Sequence, residues 1–272
     1  MEETAEQLII AKWIIRMLAF EYGIQISFSP KITVGKAGSG MHIHMLAENN
    51  CKNVLIENEK LSESARKIIA GILDLAEALT AFGNSVPTSY LRLVPHQEAP
   101  TRICWGDRNR SVLVRVPLGW VGASNMVSEA NPLEEKSDRT FTSKQTVELR
   151  SPDGSADIYL LLAGIVTAAR HGFEMPNALE MAKELYVDVN IFKEEAKERA
   201  NTLKNLPASC WESADKLNEK REYFEKFGVF PAGTIDNLMK TLKSFNDLGL
   251  SEKLYGNNEE IKKLVDKYLH WK

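Results

Sequence analysis

The sequence predicts an α+β protein with a helical C-terminal section, and three observations carry that expectation. The segments "MHIHMLA", "SVLVRVP" and "QTVELRS" follow the two-residue period of a strand. Elsewhere, apolar residues recur at helical spacing, most clearly near the start and in "SADIYLLLAGIVTAARHG". Beyond Gly172 the composition shifts to Lys- and Glu-rich amphipathic segments.

Taken in order, "EETAEQLIIAKWIIRMLAFEYG" reads as an amphipathic helix, with Leu8, Ile9, Ala11, Ile14, Ile15 and Leu18 at helical spacing. The pattern starts directly after Met1, so the chain is expected to begin inside a domain. "IQISFSPKITV" and "MHIHMLA" read as two strands joined by a turn around Gly35 and Gly38. A helix is expected over residues 62–82, started by Ser62 or Ser64 and stopped at Gly83. A loop-rich, proline-punctuated stretch reaches residue 111, and the strand "SVLVRVP" follows. Residues 118–144 lack periodicity and read as a long surface loop. After "QTVELRS" comes a strong helix with Ser155 as N-cap and Gly172 just past its end. This organises the chain as sheet and site segments over 1–172 and a helical section over 173–272, without internal repeats.

A chain of 272 residues buries a substantial core. With 44% hydrophobic and 26% charged residues it has an ordinary globular composition, and a net charge of −3 gives no general attraction to nucleic acid or membrane. Cys51, Cys104 and Cys210 are odd in number and without CxxC spacing, so they read as ordinary thiols rather than as a disulfide framework or zinc site. No signal-like start and no apolar run of about 18 residues is present, and a cytoplasmic location is expected.

Positive charge is sorted by type. Residues 92–150 hold seven arginines (92, 102, 108, 110, 115, 139 and 150) and two lysines, whereas residues 173–272 hold fourteen lysines and two arginines. A guanidinium is a rigid fork suited to carboxylate and phosphate, so the middle section is where an anion site is expected. In the first strand, His42, His44 and Leu46 share one face while Met41, Ile43 and Met45 share the other, same-face neighbours lying roughly 7 Å apart. Such a histidine pair could bind a metal or a nucleotide, or be two hydrogen-bonded sheet residues. In "TVELR", Val147 and Leu149 face the core, leaving Thr146, Glu148 and Arg150 opposite; Glu148 and Arg150 form either part of a site or a surface ion pair. Arg115, sharing a face with Leu113, points into a groove or to solvent. Arg92, Glu98 and Arg110 lie in irregular backbone, as binding loops do and as solvated loops also do.

Read together, "GSGMHIH" (38–44), "SYLRLVPHQEAP" (89–100), "RNRSVLVRVP" (108–117) and "VELRSPDGSADIYLLLAG" (147–164) resemble, in order, the signature segments of the glutamine synthetase catalytic domain, with a weaker likeness over 206–231. The resemblance implies a curved, mostly antiparallel sheet flanked by helices, and an ATP-dependent ligase that makes glutamine from glutamate and ammonium through a γ-glutamyl phosphate. It implies Mg²⁺ or Mn²⁺ held by His42 and Glu148, with His44 and Arg115 beside the nucleotide. It implies Gly38, Arg92 and Arg150 as substrate-binding residues and Arg110 and Glu98 as catalytic ones, Glu98 on a flap. Family members form rings of identical subunits with shared sites. His96, His171 and His270 have no assigned role, although His171 suits a helix C-terminal end.

Departures from the family pattern bear on specificity. Ala37 stands where Asn or Asp is usual, Leu46 where Ser is common, Thr146 where Arg is frequent, and "SPDG" replaces "FPDP". An organic amine in place of ammonia, or a non-catalytic binding role, are the competing readings. The family's N-terminal β-grasp domain and the strands carrying its other metal-binding glutamates have no counterpart here. The chain is therefore expected to be a C-terminal fragment, inactive alone, whose two metal ligands would favour Mn²⁺ over Mg²⁺.

Overall fold

The computed structural model describes residues 1–33, 36–58, 60–95, 98–119, 131, 133 and 144–271. Its centre is a four-stranded mixed sheet of short strands. Strand β1 (Ile43–Met45) pairs antiparallel with β8 (Val147–Leu149), β8 antiparallel with β7 (Val114–Val116), and β7 parallel with β6 (Trp105–Asp107). Two small hairpins, β2 with β3 (Glu48–Asn49, Lys52–Asn53) and β4 with β5 (Ile56–Glu57, Lys60–Leu61), follow β1. The expected α+β class, mostly antiparallel sheet and flanking helices are all present.

The register sorts the faces. Ile43, Leu149 and Val114 stand in one cross-strand row and His44, Glu148 and Arg115 in the next, so the pleat sends the apolar row to the core and the polar row to the other side. Under the apolar row lie α2 (Glu63–Asp74), α3 (Ala76–Gly83) and α5 (Ile158–Glu174), with Ile69, Leu79, Leu161 and Ile165 almost fully buried. Ser62 caps α2 by accepting from the Ala65 N–H at 3.0 Å, as expected, and the helix breaks at Leu75 before ending at Gly83.

Several expectations are corrected. Residues 24–33 form no strand among the described residues; Pro30, which lacks a donor, instead offers its carbonyl to the Ser39 N–H. The stretch before residue 111 holds a helix, α4 (Pro87–Arg92), and β6. Leu113 is fully buried, and Arg115 meets Glu148 across the β7–β8 pair. The strong helix starts from Asp157, whose side chain accepts from the Tyr159 and Leu160 N–H groups, and runs through Gly172 to Glu174. Gly172 is there for contact rather than termination: a Cβ on it would lie 1.9 Å from the Lys67 carbonyl oxygen of α2. Helix α1 (Glu2–Glu21) forms as expected, but Ile9, Ile14, Ile15 and Leu18 are exposed; Ala5 and Ala19 face inward, and Lys12 donates to the Gly154 carbonyl. Gly35, His96, Arg139 and most of 118–144 lie outside the described residues.

The remaining helices are α6 (Ala178–Glu184), α7 (Lys197–Thr202), α8 (Cys210–Glu219), α9 (Arg221–Glu225), α10 (Ala232–Ser244), α11 (Leu250–Lys253) and α12 (Asn258–Lys267). The Phe82 ring of α3 lies 5.1 Å from those of Phe224 and Phe230, tilted against both, which ties α9 and the segment after it to the core. Cys51 is exposed and Cys104 and Cys210 are buried, all three as free thiols; burial pushes the Cys104 thiol up to about 11. Among the described residues no helix is long and apolar enough to cross a membrane.

Candidate active site

Glu148 is fully buried at the middle of the polar row. His42 Nδ1 lies 2.7 Å from its Oε1 and Arg115 Nε 2.5 Å from its Oε2, while His44 Nε2 and Arg150 Nε stand 3.8 Å from Oε1. The surface ion-pair reading of Glu148 and Arg150 is thereby overturned, because Glu148 is fully buried and Arg150 only 6% exposed. Burial alone would raise the Glu148 pKa, but the His42 ring against it, the Arg115 charge and His44 outweigh that and hold it below the usual carboxylate value. The group is an anion ringed by cations and imidazoles.

Arg150 follows β8 directly and is 6% exposed, donating through Nη1 to the carbonyls of Arg110 and Val112. Burial lowers its pKa and Glu148 opposes that shift. Arg92, at the last residue of α4, is 3% exposed; its Nη1 reaches the Ser151 carbonyl at 2.6 Å and its Nη2 the Arg150 carbonyl at 3.0 Å. The Arg92 fork thus holds the backbone of residues 150–151, from which the Arg150 side chain departs.

Gly38 and Gly40 lie over Arg92. A Cβ on Gly38 would come within 2.8 Å of Arg92 Cγ, and one on Gly40 within 2.3 Å of Arg92 Nη2 and 3.1 Å of His42 Nε2. The glycine turn therefore brings bare backbone against the guanidinium and the imidazole together. His44 is half exposed, and its Nδ1 contacts Thr146 Oγ1 at 3.2 Å across the β1–β8 pair.

His42, His44, Arg115, Glu148 and Arg150 are brought into one cluster, with Arg92, Gly38 and the Arg110 backbone beside it. Glu98 is not in that cluster: it is exposed, with a left-handed φ of 65° that a glutamate adopts at a cost. Sequence reasoning missed Gly40, and it missed Asp153, which is fully buried, accepts from Asn84 Nδ2 at 2.8 Å and from the Ser155 hydroxyl at 2.6 Å, and favours the charge on Arg92. The short "SPDGS" run after the strand was the available signal.

The donor set suits a divalent cation in part. Neither Glu148 oxygen receives a donor at hydrogen-bonding angles despite the close nitrogens, and His42 stands against the same carboxylate. One carboxylate and one or two imidazoles are an incomplete shell for a hard cation, and among the described residues no fuller group of His, Cys, Asp and Glu is assembled.

The fold and the site define a class: an α+β domain whose central sheet carries a buried carboxylate among arginines and histidines. The family model for the glutamine synthetase catalytic domain matches residues 1–244. Glutamine synthetase of Pyrococcus abyssi is 32% identical over 244 residues, which is 89% of this chain and 50% of that protein. The enzyme of Thermococcus kodakarensis is 34% identical over 226 residues, 83% of this chain and 45% of that one. Among solved structures, a cryo-EM structure of Plasmodium falciparum glutamine synthetase matches with a TM-score of 0.68 at 22% identity, covering 90% of this chain and 51% of that chain. The chain belongs to the glutamine synthetase family. It spans about half the length of the curated relatives that it matches.

Proposed function

We propose that this chain is the C-terminal part of the catalytic domain of a glutamate–ammonia ligase, which activates the side-chain carboxylate of glutamate as an acyl phosphate from ATP and lets ammonia displace phosphate. The observation that carries this reading is the buried Glu148 set among His42, His44, Arg115 and Arg150, with the Arg92 fork alongside. A transferred phosphoryl group spreads charge over its oxygens, and pre-positioned guanidinium groups stabilise that charge without reorganising. Arg92 is the fork for the amino-acid carboxylate, Gly38 offers backbone to the same substrate, and Arg110, Arg115 and Arg150 serve the phosphoryl and nucleotide phosphates. His44 stands at the nucleotide side. Glu98, on its exposed strained turn, is the residue to shield the intermediate and take the proton from ammonium.

His42 and Glu148 would hold a Mg²⁺ or Mn²⁺ ion, which supplies charge neutralisation of the phosphates. One carboxylate and one imidazole leave most of the ion's coordination positions to other groups, and the 272-residue chain alone is expected to be inactive. In the whole protein we expect a cytoplasmic homo-oligomer. An organic amine in place of ammonia is the second reading, favoured by Ala37 where the family usually offers a polar side chain beside the substrate amino group.

The test is phosphate release from ATP with glutamate and Mg²⁺ or Mn²⁺, comparing ammonium with methylamine and larger amines. It is run on this chain and on the chain joined to a family N-terminal half. We expect no release from the chain alone and ammonium-dependent glutamine formation from the joined protein. Release with organic amines only would move the assignment to the second reading, and glutamine formation by the 272-residue chain would refute the fragment reading.

A further inference from the structure

Helix α1 presents an apolar face to solvent, and we propose that two copies of this chain pair through it, antiparallel about a two-fold axis. The helix packs inward along one stripe, where Ala5 and Ala19 are buried and the half-buried Leu8 joins the core. Ile9, Ile10, Trp13, Ile14, Met17 and Leu18 are each 44–61% exposed, and Phe20 beyond them is 81% exposed. With 3.6 residues per turn, Ile10, Ile14 and Met17 stand nearly opposite Ala5, Leu8 and Ala19. Lys12 holds the helix in place by donating to the Gly154 carbonyl at 2.9 Å. The face is therefore carried on a fixed element, and no segment covers it among the described residues.

Area and pattern name the occupant. At those exposures the side chains from Ile9 to Phe20 on this face present on the order of 700 Å², above the few hundred Å² of apolar patch that monomers usually carry and close to the roughly 800 Å² per partner of a stable interface. A two-fold interface joins one surface to itself, so its pattern has to read the same in both directions. Positions 9, 10, 13, 14, 17 and 18 meet that condition. An axis between residues 13 and 14 sets Ile9 against Leu18, Ile10 against Met17 and Trp13 against Ile14 of the other copy. A shallow crossing angle of about 20° keeps two such helices in contact along the whole row.

Charge at the ends of the row opposes this pairing slightly and makes its sense measurable. The same axis places Glu6 of one copy beside Glu21 of the other, twice in the dimer, and both residues are exposed. Like charges at an interface rim weaken it only modestly, because solvent screens them. A parallel pairing would instead set Glu21 beside Glu21. The pairing uses none of the residues around Glu148, so it does not depend on the ligase reading.

The test is sedimentation equilibrium of the 272-residue chain at concentrations up to about 100 µM, ample for a micromolar dimer. We expect a closed dimer. Trp13→Glu, at the centre of the row, should weaken it roughly a hundredfold or more while leaving the circular dichroism spectrum unchanged, since the side chain is exposed in the single chain. Ile10→Glu is the independent check if Trp13→Glu misfolds. Glu21→Lys should tighten the dimer roughly threefold or more, because each new lysine faces Glu6 of the other copy. A wild-type monomer would overturn the proposal and leave the face to a different polypeptide. Open-ended oligomers, a dimer untouched by the folded glutamate variants, or one that Glu21→Lys does not tighten would each overturn it as well.

Discussion

Replacing Glu148 by glutamine removes the negative charge that faces Arg115 and Arg150, and it leaves the 6%-exposed Arg150 without its ionic counterpart. Breaking one side of a buried ion pair costs roughly 3–5 kcal/mol, and the partial exposure of Arg115 places Glu148→Gln near the lower end, about 3 kcal/mol by urea denaturation. A loss below about 1 kcal/mol would mean that the cluster is far wetter than its burial indicates. Gly40→Ala should displace the Arg92 guanidinium, because the added methyl meets Nη2 at 2.3 Å, and should cost about 1–3 kcal/mol. Asp74 provides the pH prediction. Its pKa is lowered first by the hydrogen bond with His171 (2.9 Å), against burial that raises it, and further by Lys220 at 3.3 Å. A depressed folded-state pKa means stability present above about pH 4, the ordinary aspartate value, and lost as pH falls through the lower folded value. Asp74→Asn should flatten the acid limb of a thermal-stability profile there, and an unchanged limb would assign acid sensitivity to other carboxylates.

Helices α2 and α5 cross where Gly71 and Gly172 put backbone on backbone, and this close crossing is an element-scale property that neither helix shows alone. Gly172→Ala improves intrinsic helix propensity by about 1 kcal/mol yet forces a methyl to within 1.9 Å of the Lys67 carbonyl oxygen. Net destabilisation of about 1–3 kcal/mol is expected in thermal melts, and a stabilised variant would show that the crossing has slack. The glycine's position near the end of a periodic run made it read as a helix stop; only the partner helix reveals its purpose. Alternation was legible in β1 and β8 for a similar reason in reverse, since a two-residue period survives in three-residue strands when one face is apolar. What alternation does not carry is depth. Glu148 was rightly placed opposite Val147 and Leu149, but its complete burial beside Arg115 and Arg150 is visible only in the folded chain.

Over the whole molecule, the C-terminal segment beyond the family match is tied to the core through Asp247, a 2%-exposed carboxylate that receives the first two N–H groups of α8. Asp247→Ala strips two charge-assisted hydrogen bonds from a buried helix end and should lower stability by about 2–3 kcal/mol in a urea melt, with α11 and α12 becoming protease-sensitive first. Equal protection of those helices in the variant would show that the aromatic contacts of Phe245, Tyr268 and Trp271 suffice. The same scale decides what was legible. The α+β class, the three strands' apolar faces, the Ser62 cap and the arginine-rich middle were written in residue type and spacing, because those depend on local periodicity and on side-chain chemistry. The gathering of His42, His44, Arg115 and Arg150 on one buried carboxylate, the glycines over Arg92, and the outward apolar face of α1 were decided by strand register, close backbone approach and the docking of Ala5 and Ala19 against the rest of the fold. Each of these joins residues far apart in the chain, and a distance in space has no counterpart in a linear pattern.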